Sequence, residues 1–241
     1  MNISHQTKKH IMIARTLLFS IGIMLSCNIF AGKGPMATQT PLDTEISDRM
    51  TVDVDLQDQI DNIPLASIHA IGDLYGGGIV VWVDEGGQRG IIAALADQST
   101  DIQWRNGTTY RVTGATGNGL GAGQMNTAII VSTQISDAPT ADFAAKIAAD
   151  YSVQEDGETA CTGSASETCH GDWYLPSKFV LNLMYENLHL SGMGDFADDV
   201  YWSSTEISNT SAWIQSFFGG TPLSSAKYNP HRVRAARAFN N

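Results

Sequence analysis

Twenty of the chain's 23 glycines fall beyond Ile71, often in twos and threes, between short β-branched and aromatic runs. Glycine at that density, without a collagen period, means many tight turns. A chain punctuated in this way cannot build a bundle of long helices. It predicts a loop-rich domain of short strands. Gly76-Gly77-Gly78 precedes Ile79-Val80-Val81-Trp82-Val83. Asp84-Glu85-Gly86-Gly87 then turns the chain into Gly90-Ile91-Ile92-Ala93-Ala94. Two apolar β-type runs joined by such a turn read as a hairpin. Asn106-Gly107 marks a further turn, and 114–123, with five glycines, reads as a surface loop. That loop has no phosphate-binding register, neither G-x-G-x-x-G nor Gly-Lys-Ser/Thr.

Helical spacing appears in two places. Pro139 opens one helix, with Phe143, Ile147 and Tyr151 on one face. Ser177 is the N-cap of the second, whose apolar face is Val180, Leu181, Met184, Tyr185 and Leu188. Strands are expected at 200–204, 212–217 and 231–239, with Gly219-Gly220 turning the chain between the last two. Two helices set among short antiparallel strands give an α+β domain over 71–241.

The first 70 residues have a different texture. Lys8, Lys9 and Arg15 precede the apolar run 17–31, LLFSIGIMLSCNIFA. Basic, then apolar, then small residues before Ala31 is the order of a secretory signal peptide, here 1–31. The run is shorter than the roughly 20 residues that span a bilayer. Cys27 follows Ser26, so lipidation at Cys27 is an alternative to cleavage after Ala31, and the only route to a membrane. Residues 32–70 hold Pro35, Pro41 and Pro64 and no aromatic side chain, as a linker or short stalk does. Ile46, Met50, Leu56, Ile60 and Ile63 form a partial helical stripe there. It reads either as a short oligomerising helix or as a solvated, frayed one.

The chain carries 14 Lys+Arg against 25 Asp+Glu, a formal net charge of −11, with pI near 4.8. Three of the basic residues lie in the leader, so the remainder stands at −14. Such a surface disfavours nucleic acid and anionic lipid as partners. Once the leader is removed, Cys161 and Cys169 remain. A cysteine pair in an exported chain favours a disulfide, closing TGSASET at roughly 2–3 kcal/mol. The competing reading is a metal site of Cys161, Cys169 and His170, although C-x7-C-H is no usual zinc spacing.

Several ordered segments carry a resemblance. They are Ile71-Gly-Asp-Leu-Tyr-Gly-Gly-Gly-Ile79, Asp97-Gln-Ser99, Asn126-Thr127-Ala128, Ala144-Ala145-Lys146 to Asp150-Tyr151, Asp172-Trp-Tyr-Leu-Pro-Ser-Lys178, Tyr201-Trp-Ser-Ser-Thr-Glu206 and Val233-Arg-Ala-Ala-Arg237. Together they resemble the C-terminal domain of the Legionella collagen-like adhesin family, a family largely of unknown function. The resemblance covers about 71–239. It implies a C-type-lectin-like fold and export, in a family some of whose members are surface adhesins binding host or matrix glycans; here the ligand is expected to be a glycan or a protein. The pattern is broken where Val180 replaces the helix glutamate that would close a capping box with Ser177. There is also no collagen repeat ahead of 71, and the acidity conflicts with the family's taste for sulfated polymers.

Chemistry-bearing residues each have two readings. Trp173, Trp202 and Trp213 are either core or sugar-stacking platforms, and Trp82 and Trp104 are read as core in the same way. Asp195, Asp198 and Asp199 are either a Ca²⁺ cluster or a solvated loop; the lectin calcium motifs are missing. Lys227, His231 and Arg232 form the one basic patch that could meet an anionic ligand, while Arg234 and Arg237 are expected to pair with acids. No Gly-x-Ser-x-Gly or His-Glu-x-x-His sequence occurs. The expected function is a non-catalytic binding or adhesion module without cofactor. The alternatives are a structural, homotrimeric tip domain, or an oxidative metalloenzyme of the formylglycine-generating type, which shares the lectin-like fold.

Overall fold

The computed structural model describes residues 40–61 and 67–240. The expected signal peptide, Cys27 and Ile63 lie outside the described residues. The chain divides into two units, Met1–Pro64 and Leu65–Asn241. What is described of the first is a single helix, α1 (Thr40–Asp61), so the stretch expected as a linker contains 22 helical residues.

The second unit is mixed α+β. A four-stranded antiparallel sheet has the order β1 (Leu74–Tyr75), β2 (Gly78–Val83), β3 (Arg89–Ala94), β11 (Ala236–Asn240). A five-stranded sheet has the order β4 (Ser99–Gln103), β10 (Pro230–Val233), β7 (Val200–Glu206), β8 (Ser211–Ser216), β9 (Pro222–Ala226). Within it β10 runs parallel to β7 and the other pairings are antiparallel. A short ladder, β5 (Val153–Gln154) with β6 (Cys169–His170), stands apart.

The β2–β3 hairpin forms where the apolar runs and the turn place it. Its side chains alternate between two cores. Val80, Ile92 and Ala94 enter one with Trp104, Ile130, Phe143, Trp202 and Phe239. Ile79, Val81, Ile91 and Ala93 enter the other with Leu181, Met184, Leu188, Tyr201 and Phe217. A strand buried on both faces reads as a continuous apolar run, which is why this segment stood out in the sequence. Gly78 sits where a Cβ would lie 2.3 Å from the Ala93 carbonyl oxygen, so the hairpin closes only around glycine there.

Three expectations are corrected. The compact unit has three α-helices rather than two: α2 (Ala122–Gln134), α3 (Ala144–Ala149) and α4 (Lys178–Leu183). α2 went unread because its core-facing side is mixed: Asn126, Thr127 and Gln134 are buried beside Ile130, while Met125 is exposed. α3 begins at Ala144, with extended Phe143 as its N-cap, rather than at Pro139. The 231–239 run is two strands, β10 and β11, in different sheets, and Gly219-Gly220 leads into β9 instead. The Ser177 cap is as expected: its Oγ accepts from the Val180 amide at 3.2 Å and donates to the Gly119 carbonyl at 2.8 Å. α4 continues as a π-turn (Met184–Leu188) and a 3-10 turn (His189–Ser191), closed by left-handed Gly192.

Candidate functional site

The basic patch does not gather on the surface. Lys227, directly after β9, has a side chain only 1% exposed, as has Glu206 at the end of β7. The Lys227 ammonium donates to Glu206 Oε1 at 2.5 Å and to the Arg111 carbonyl at 2.9 Å, and lies 4.2 Å from the Trp104 ring centroid. The Glu206 carboxylate also accepts the Thr113 and Gly114 amides, each at 2.8 Å. Burial pushes the Lys227 ammonium below its ordinary range, and the Glu206 contact pulls it back.

The backbone of Lys227 completes the knot. Its carbonyl accepts from the Trp104 and Arg105 amides at 3.1 and 3.3 Å, and its amide donates to the Thr210 carbonyl at 2.8 Å. One buried pair therefore ties three loops together: 104–114, 207–210 and 227–229. On these loops Tyr110, Val112, Ile207 and Tyr228 are exposed, at 43, 69, 41 and 49%. The Arg105 guanidinium lies 4.4 Å from the Tyr110 centroid and 5.7 Å from that of Tyr228. It donates to Gln103 Oε1 and the Thr108 carbonyl, and among the described residues it enters no salt bridge. Arg111 is held by Asp137. The arrangement offers two phenol rings, a guanidinium and two aliphatic side chains on loops fixed from beneath.

Arg232 and Arg234 belong to a second network centred on Asp97. Arg232 donates to Asp97 at 2.9 Å and to Asp199 at 2.8 Å. Arg234, 1% exposed, donates to Asp97 at 2.6 Å and to the carbonyls of Ala94, Leu95, Gly194 and Asp195. The guanidinium fork thus pins the end of β3 to the 194–196 turn, with its face on Phe196. The hydrogen bond from Arg232 holds the Asp199 carboxyl below the usual range. Tyr201, which also donates to Asp97, is pushed up to about 12 by burial. Arg237 pairs with Asp172. His231 is half-buried: Ser225 Oγ lies 2.7 Å from its Nε2, and burial lowers its pKa.

The acidic cluster is dispersed in the same way. Asp199 faces Arg232, Asp198 faces His189 at 3.2 Å, and the Asp195 carbonyl receives Arg234. Cys161 and Cys169 form a disulfide with Cα atoms 5.9 Å apart. Glu167 gathers the enclosed loop by accepting from the Thr162 and Gly163 amides at 2.8 and 2.7 Å. Glu167 and the two sulfurs lie within 4.8 Å of one another, but sulfurs bonded to each other are not thiolate ligands. His170, the third member of the alternative metal site, contacts Glu155 at 2.6 Å.

Trp104 and Trp202 are fully buried and Trp173 is 3% exposed, so all three serve the core. Their indole N–H groups donate to the carbonyls of Ser203, Ile102 and His170. Trp82 and Trp213 are half-buried, and the Lys178 ammonium lies 3.6 Å from the Trp213 ring centroid. Sequence reasoning missed the Tyr110–Arg105–Tyr228 group because its members lie up to 123 residues apart along the chain. The Asn106-Gly107 turn beside Arg105 was the available signal.

No helix among the described residues is long and apolar enough to cross a membrane. No protein-family model matches the chain, and no curated protein matches it.

Proposed function

We propose that the chain is an exported, non-catalytic recognition module whose ligand, a glycan or a protein, docks on the loops carrying Arg105, Tyr110, Val112, Ile207 and Tyr228. The observation that carries this reading is the half-buried Arg105 guanidinium beside the exposed Tyr110 and Tyr228 rings, over the buried Lys227–Glu206 pair. Tyr and Arg dominate binding hot spots because they supply rigid apolar area together with directional donors. A buried ion pair in place of a flexible loop base presents those side chains without an ordering cost on binding. Lys227 thereby acts from beneath the face rather than as a ligand contact.

The finer reading is a C-type-lectin-like domain of the adhesin type. In its favour are the short mixed and antiparallel sheets, and a first sheet that holds both β1 and β11. Export is supported by the basic–apolar–small order of 1–31 and by the disulfide, which persists in oxidising compartments. The test is a glycan array with and without Ca²⁺, followed by affinity capture of surface proteins. The wild-type chain is compared with Tyr110→Ala/Tyr228→Ala. The double variant should lose the signal at unchanged thermal midpoint. A signal retained in full would remove these loops from the reading.

A further inference from the structure

α1 stands among the described residues as a 22-residue helix with its apolar side chains in water: Ile46 is 49% exposed, Met50 64%, Val52 56% and Leu56 50%. Lone helices of this length are marginal in water even when rich in alanine, and this one is rich in Thr, Val and Asp. Its last turn holds no basic residue to oppose the helix dipole.

The sequence of α1 follows a heptad. Leu42, Ile46, Arg49, Asp53, Leu56 and Ile60 fall alternately at positions d and a. Of the flanking e and g positions, Met50, Val52, Gln57 and Gln59 are uncharged, and Asp43 and Glu45 are acidic. Asp48, Asp55, Asp58 and Asp61 fall at b, c and f, away from the seam. Of the described apolar side chains on α1, Val54 falls outside the seam.

The polar layers decide what covers it. In a parallel pair a faces a and d faces d, so Arg49 would meet Arg49 and Asp53 would meet Asp53. In an antiparallel pair a faces d, and the layers about residue 51 become Ile46–Leu56 and Arg49–Asp53, each occurring twice by symmetry. The flanks match as well. Met50 meets Met50, Val52 meets Val52, and Glu45 faces Gln59 rather than another acid. Among the described residues of the single chain, Arg49 pairs with Glu45 one turn back, at 2.9 Å, with both side chains largely exposed.

We infer that α1 is the dimerisation element of this protein, and that its occupant is α1 of a second copy, packed antiparallel. The two chains then leave the roughly 33 Å helix pair at opposite ends. This does not depend on the ligand-binding reading above.

The test uses the full chain with Cys27→Ser, in sedimentation equilibrium and oxidative cross-linking. The chain should sediment as a concentration-dependent dimer. Arg49→Asp and Asp53→Arg should each weaken self-association about tenfold or more, and an equimolar mixture of the two variants should restore it, because each then supplies the charge that the other lacks. Ile46→Cys mixed with Leu56→Cys should cross-link into a disulfide-bonded heterodimer, whereas Ile46→Cys alone should not. A monomer at all concentrations, a trimer, or efficient cross-linking of Ile46→Cys alone would each overturn the inference. Near-ultraviolet circular dichroism of every variant should match wild type, since the substitutions lie outside the 67–240 fold.

Discussion

Removing the Lys227 ammonium tests the structural centre of the loop face. Lys227→Met keeps the length and much of the apolar stem, but deletes the charge that faces Glu206 and the donor that satisfies the Arg111 carbonyl. Glu206, 1% exposed, would keep only its backbone donors at Thr113 and Gly114. Breaking a buried pair from one side leaves an uncompensated charge and costs about 3–5 kcal/mol. For a domain of this size that lowers the thermal midpoint by about 6–20 °C. Following Lys227→Met with Glu206→Gln should recover much of the loss, because no uncompensated charge then remains buried. Calorimetry gives the midpoints, and hydrogen exchange at the Thr113 and Gly114 amides reports whether the 104–114 loop has loosened. A loss below about 1 kcal/mol, the size expected of an exposed pair, would refute the reasoning. So would unchanged exchange at those two amides.

Asp97→Asn should also destabilise by about 3 kcal/mol in chemical denaturation, since it leaves the buried Arg234 without its carboxylate; Arg234→Lys, which cannot reproduce the fork to four carbonyls, should not rescue the site. Replacing Cys161 and Cys169 together with Ser should cost roughly 2–3 kcal/mol, and thiol titration of the denatured wild-type protein should find neither cysteine free. Stability should fall on acidification in two stages. His231, whose folded pKa lies below its unfolded value of about 6.5, binds its proton more readily when unfolded, so the fall begins as pH drops through that value. Asp199 and Glu155, both held down in the folded state by Arg232 and His170, add a second loss as pH falls from the ordinary carboxylate range through their lowered values. Urea midpoints against pH check this, and His231→Gln should remove the first stage alone.

Where a segment's own pattern matched its burial, the sequence was readable. The Ile79–Val83 and Gly90–Ala94 runs are apolar because both faces are covered, and they form the hairpin. Ser177 caps α4 through a contact three residues away. Where burial depended on distant partners, the pattern misled. α2 buries Asn126 and Thr127, whose hydrogen bonds run to Gly117, Ser204 and Leu175, so its inward face looks like a surface. Lys227 and Arg232 looked like an exposed basic patch because their acids lie 21 and 135 residues away. Tyr110 and Tyr228 lie 118 residues apart, so apart from the Asn106-Gly107 turn nothing local pointed to their meeting.

The amino-acid order alone determined the α+β class, the turn-rich character, the first hairpin and the cysteine pair, since each follows from neighbours a few residues apart. Only the tertiary structure decided which charges are spent internally, that the 231–239 run divides between two sheets, and which aromatic rings reach the surface together. Those outcomes depend on burial and on contacts across a hundred or more residues, and local spacing does not record them.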